Sequence, residues 1–220
     1  MLRRFHVPLT KPEDIIPHLA KQGLHWKEKH SAQELVLAWS KAPDGIPASV
    51  RSVLKTVDEF ASTELVDGFF EKEVYLRTPG RNSQTDLMVI AALDNQLGVI
   101  AVEGKVDEPF GDLVSHWNDD TPAKKARLFG LCSTLALEPN DVGSLRYQLL
   151  HRTASAVYEA QRYRCRQEIM LVHSFSPTRM WFDDFSRFSD AMSMSIKSPN
   201  TISSPKKCED VSLRLAWVSD

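Results

Sequence analysis

The chain has 220 residues, 42% hydrophobic and 25% charged, with a net charge of −2 and a pI near 6.4. That balance fits one large domain, or a core domain with appendages, burying its own core without staples, and it excludes a global basic field. Cys132, Cys165 and Cys208 are odd in number, widely spaced and not in Cys-x-x-Cys pairs, which argues against a disulfide framework or a structural zinc site. No apolar run reaches the length of a membrane span, so a cytoplasmic protein is expected.

In chain order, residues 1–47 predict a helical extension and residues 48–220 the core with C-terminal additions. Pro12 to Gln22 suggests a short helix. Ser31-Ala32-Gln33-Glu34 has the form of a capping box opening an apolar segment through Trp39. Pro43 to Pro47 is a loop. From Ala48 to Leu65 the apolar residues Val50, Val53, Leu54, Val57, Phe60 and Ala61 recur at helical spacing. Glu73 to Arg77 alternates as a strand, and Pro79-Gly80-Arg81-Asn82 is a turn. Two strongly apolar strands follow, Thr85 to Ala92 and Val99 to Lys105. Residues 122–137 and 141–167 read as helices, 169–175 as a buried strand and 178–192 as a helix whose Trp181, Phe182, Phe185 and Phe188 pack the core. Residues 196–208 read as a surface loop and 211–218 as a last strand.

The hairpin made by the two apolar strands carries the chemistry. Asp86 opens the first strand, and Glu103-Gly104-Lys105 closes the second. A turn centred on Asn95 and Gln96 pairs Asp94 with Leu97 and Asp86 with Lys105. Side chains alternate along a strand, so Glu103, Lys105, Asp107 and Asp86 then share a face. A slip of one residue would send Asp86 to the other face. Two carboxylates beside a lysine suit a hard cation such as Mg²⁺ and the activation of a water. The bland alternative is charged residues where strands emerge into solvent.

With a helix before the hairpin and a helix and strand after it, the chain resembles the PD-(D/E)XK nuclease superfamily over residues 48–175. Asp86 matches the first acid of that motif and Glu103-Gly104-Lys105 the second. Thr85 stands where the motif has proline. The resemblance implies a restriction-endonuclease-like α/β (α+β) core with a central mixed sheet flanked by helices. It also implies Mg²⁺ or Mn²⁺ on Asp86 and Glu103, Lys105 assisting the water, a nucleic-acid substrate, DNA foremost, and a possible homodimer. On the following helix Gln148 and Arg152 share a face, with Tyr147 and His151 as a neighbouring pair. Gln148 is a candidate to position water, and Arg152 and Tyr147 to contact substrate. Glu59, Glu64 and Asp107 are candidate additional acids. Arg162, Arg164 and Arg166 read as a solvated helix end or as phosphate contacts.

No P-loop, dinucleotide glycine fingerprint, Gly-x-Ser-x-Gly or His-Glu-x-x-His occurs, which removes several common enzyme classes. Two alternatives to a metal-dependent nuclease stay open. One is a catalytically silent module on the same fold that binds nucleic acid or a protein. The other is an α+β protein whose acids are strand-end decoration.

Overall fold

The computed structural model describes residues 5, 6, 11–19, 26 and 30–220. Its centre is a mixed seven-stranded sheet in the order β1-β2-β3-β4-β7-β5, with β6 also paired to β7. The strands are β1 (Glu64–Val74), β2 (Ser83–Ala92), β3 (Leu97–Lys105), β4 (Gln167–Ser174), β5 (Thr201–Ile202), β6 (Lys206–Cys208) and β7 (Val211–Ser219). The helices are α1 (Ser31–Lys41), α2 (Ala48–Leu54), α3 (Val114–Trp117), α4 (Pro122–Leu135), α5 (Tyr147–Arg162) and α6 (Phe182–Ala191). Among the described residues, no helix is long and apolar enough to cross a membrane.

Strands β1, β2 and β3 form an antiparallel meander, β3 runs parallel to β4, and β4 parallel to β7. A parallel step needs a long crossover, and α4 and α5 lie within the one between β3 and β4. The central strands are buried on both faces, which explains their nearly continuous apolar runs. On one face, Met88, Val99, Ala101, Met170 and Val172 pack with Leu149, Val157, Phe185 and Phe188. On the other, Val89, Ile100, Val102, Ile169 and Leu171 pack with Leu35, Trp39, Val50 and Leu54. The α1 helix therefore shares a core with the sheet. Phe182 and Phe185 meet the fully buried Trp217, so these aromatics serve packing.

Several local expectations are corrected. Ser31 is the first residue of α1, and the N-cap is His30, whose side chain makes no capping bond. The segment Pro12–His18 is a 3-10 helix containing Pro17, whose ring removes an N–H; residues 20–22 lie outside the described residues. The helix expected over 48–65 ends at Leu54, and after a 3-10 turn at Asp58–Phe60 the chain enters β1 at Glu64, nine residues before the expected strand start. A register shift between Leu65 and Asp67 breaks the alternation of β1, so the period-two signal is weak there. Helix α5 begins at Tyr147 rather than 141 and ends at Arg162. The expected loop 196–208 contains β5 and β6.

The hairpin register also differs. Ala92 pairs with Leu97 and Leu87 with Val102, two residues away from the register expected. A shift of two preserves the faces, so the displacement changes partners and leaves the charged residues together.

Candidate functional site

The charged ends of β2 and β3 open into a cleft of about 760 Å³, walled by the start of α5, the start of α1 and the chain from Glu108 to Trp117. Continued past Leu87 and Val102, the register sets Asp86 opposite Glu103. There the strands are tied by a side chain: the Gly104 N–H donates to Asp86 Oδ2 at 2.9 Å. Gly104 turns away from the cleft toward α1. A methyl group at Gly104 would lie 3.2 Å from the Ser31 carbonyl oxygen and 3.4 Å from Leu35 Cβ. A small residue between Glu103 and Lys105 thus lets α1 close over β3.

Glu103 is 2% exposed and Lys105 3%, values a charged residue tolerates only with partners. Lys105 Nζ donates to Glu103 Oε1 at 2.9 Å and to Gln148 Oε1 at 3.1 Å, and Gln148 Nε2 donates to Glu103 Oε1 at 2.7 Å. Arg152 Nε donates to Glu103 Oε2 at 2.6 Å. Its Nη2 lies 3.5 Å from Asp86 Oδ1, and its Nη1 donates to Ser83 Oγ at 3.2 Å. Asp86, Glu103, Lys105, Gln148 and Arg152 therefore form one network. Gln148 and Arg152 reach it because they lie four residues apart on α5.

The charge balance is uneven. Burial, and then the adjacent Glu103 charge, push the Asp86 carboxyl up to about 7, against the pull of Arg152 and Lys105. Burial acts on Glu103 in the same sense, but Arg152 and Lys105 outweigh it and hold that carboxyl below its usual range. Five acids, Glu71, Asp86, Glu103, Glu108 and Asp112, line the cleft against the two cations Lys105 and Arg152.

Three lining features escape the sequence reading. Glu71 stands opposite Asp86 in the register, between the pairs Phe70–Leu87 and Lys72–Thr85, and Gln84 Nε2 donates to its Oε2 at 2.7 Å. Glu71, Asp86 and Glu103 thus run across three adjacent strands, visible only once β1 is aligned. Second, Ser83 Oγ lies 2.9 Å from His151 Nδ1. Burial, then the charges of Arg152, Arg127 and Lys105, keep His151 well below its ordinary value, so the ring is neutral. Third, Tyr147 stacks on Trp117 at 3.8 Å between centroids, and its hydroxyl accepts from Arg127 Nε. This braced aromatic pair walls the cleft.

The other predicted acids stand elsewhere. Glu64 opens β1, seven residues before Glu71 and so about 23 Å along the strand at roughly 3.3 Å per residue. Glu59 lies in the 3-10 turn, with both carboxylate oxygens 3.4 Å from Arg214 Nη2. Asp107 accepts from Ser176 Oγ at 3.4 Å, and its carbonyl accepts from Trp181 Nε1 at 2.8 Å. Arg162 closes α5 fourteen residues beyond Gln148, about 20 Å away at roughly 1.5 Å per residue.

Among the described residues, no group of three or more His, Cys, Asp or Glu side chains is arranged to hold a metal ion. The Asp86–Glu103 pair nevertheless has the right donors for Mg²⁺, which binds through one or two carboxylates and keeps several waters. The cation now set against both carboxylates is the Arg152 guanidinium.

No curated protein and no solved structure matches the chain. A family model described as a domain of unknown function (DUF6946) matches residues 8–220, and the chain belongs to that family.

Proposed function

We propose that the cleft is the active site of a metal-dependent phosphodiesterase of the PD-(D/E)XK nuclease type, with DNA as the foremost substrate and a cytoplasmic setting. The observation that carries this reading is the meeting, at one end of the sheet, of Asp86 on β2 with Glu103 and Lys105 on β3 and Gln148 on the crossover helix. The element order, a helix, a three-stranded meander, helices and another strand, is the order that superfamily implies.

Asp86 and Glu103 would hold Mg²⁺ or Mn²⁺; when bound, such an ion polarises the phosphoryl oxygens and acidifies water. The remaining work falls to the chain. Lys105 is fixed by Glu103 and Gln148, and its ammonium stabilises negative charge gathering on the phosphate. Gln148 is a positioning residue, because it bonds Lys105 and Glu103 together. Arg152 has the forked geometry that phosphate oxygens fit. Hydrolysis adds the hydroxyl of water to phosphorus and breaks the ester bond, and the remaining proton ends on the departing alcohol.

One observation favours a second reading, a catalytically silent module: Arg152 already bridges both carboxylates. Incubation with duplex DNA, single-stranded DNA and RNA, with Mg²⁺ or Mn²⁺, separates the two. The nuclease reading expects cleavage that EDTA stops and that Lys105→Ala slows by at least about a hundredfold. Retention of a nucleic acid without cleavage under every condition would favour the silent module.

A further inference from the structure

The same arginine points past a static role. Arg152 is only 11% exposed in its side chain and spends its guanidinium on three oxygens, Glu103 Oε2 at 2.6 Å, Ser83 Oγ at 3.2 Å and Asp86 Oδ1 at 3.5 Å. Two of the three belong to the carboxylates that a divalent ion would use. A guanidinium and a metal ion set against the same two oxygens repel as like charges, and the guanidinium takes up lone pairs that the ion would use. Arg152 therefore competes with the ion for its seat.

The arginine has another partner class. Its fork suits phosphate oxygens as it suits carboxylates, and Nη1 already bonds the neutral Ser83 hydroxyl, which lies 2.9 Å from His151 Nδ1. Arg152 itself lines the cleft, together with Gln148 and His151. A phosphate group entering the cleft offers the guanidinium a new anion and leaves Asp86 and Glu103 with only Lys105 against their negative charge, which attracts the metal.

We propose that Arg152 couples metal binding to phosphate binding: it closes the Asp86–Glu103 seat until a phosphodiester draws its guanidinium away. The inference rests on the metal-dependent reading above. Its thermodynamic form is a linkage between two ligands, so each must tighten the other by the same factor. Asp86 and Glu103 stay paired with Arg152 in the empty cleft and bind the metal ion more tightly once a substrate is present.

The test is calorimetric titration of Mn²⁺ into the full chain at neutral pH, with dimethyl phosphate or with methanesulfonate at equal ionic strength. Dimethyl phosphate should tighten Mn²⁺ binding at least about fivefold, the low end of typical coupling, and methanesulfonate should not. Arg152→Ala and Arg152→Gln should bind Mn²⁺ at least about fivefold tighter without phosphate and show no further gain with it. The wild-type comparison stands even if neither variant folds. Mn²⁺ binding equally tight in all proteins and indifferent to dimethyl phosphate would overturn the coupling and leave the metal site standing. Absence of Mn²⁺ binding from every protein, phosphate or not, would overturn the metal site and the coupling with it.

Discussion

Replacing Asp86 by Asn should stabilise the protein above neutral pH. In the fold this carboxyl titrates at about 7 rather than 3.8, because burial and the Glu103 charge oppose its ionisation. The folded state then holds the proton more tightly than the unfolded chain does. The favourable contribution is complete below pH 3.8 and is lost as pH rises through 7. A displacement of about three pH units, at about 1.36 kcal/mol each, sets a ceiling of about 4 kcal/mol. The side chain is 20% exposed, and its contact with Arg152 is lost in the variant, so a gain of about 1–3 kcal/mol at pH 8 is expected. An asparagine oxygen can still accept from the Gly104 N–H, so the strand tie survives. Urea unfolding at pH 4 and pH 8 in EDTA measures the effect. No gain at pH 8, or an equal gain at both pH values, would refute the reasoning. A site that costs the fold energy in this way is common where a ligand is to be held.

Two further predictions concern buried groups away from the cleft. Glu168 on β4 is fully buried, both its carboxylate oxygens lack partners among the described residues, and burial raises its titration well above the carboxylate range. Glu168→Met should stabilise by about 1–3 kcal/mol, with the gain growing between pH 5 and pH 9 in urea unfolding; a loss at pH 9 would contradict it. His173 is fully buried, accepts from Trp39 Nε1 at 3.2 Å and lies 3.1 Å from Asp220 Oδ2. His173→Ala should cost about 3–5 kcal/mol, combining a cavity with an unpaired indole N–H; a melting temperature within a degree of wild type would count against that accounting.

How much of this was legible follows from which signals are local. The β2–β3 hairpin, β4 and α5 announce themselves because the strands are buried on both faces and α5 repeats its apolar residues at helical spacing. The grouping of Asp86, Glu103 and Lys105 survives an incorrect register because side-chain direction depends only on parity. Gln148 and Arg152 follow from their spacing of four. What stayed hidden depends on tertiary pairing. Val50, Val53, Leu54, Val57 and Phe60 fit one helical stripe, yet the helix stops at Leu54 and Phe60 is buried from a 3-10 turn, so the pattern did not fix its own end. Glu71 reaches the site only through β1 pairing, and the residue has a positive φ of 53°, a local twist that no periodicity reveals. The brace from Arg127 to Tyr147 spans twenty residues of sequence, and the Ser83–His151 contact spans 68. The spacing of Arg152 places it near the site, and only the fold sets it between the two carboxylates.

The central claim is that this cleft hydrolyses phosphodiesters with the aid of a divalent ion. The most direct measurement is the rate of DNA cleavage in Mg²⁺ by wild type and by folded Lys105→Ala. A positioned charge-stabilising donor of this kind contributes about 10²–10³-fold, so the variant should fall by at least about a hundredfold while its circular dichroism is unchanged. Cleavage at an undiminished rate by Lys105→Ala would contradict the account.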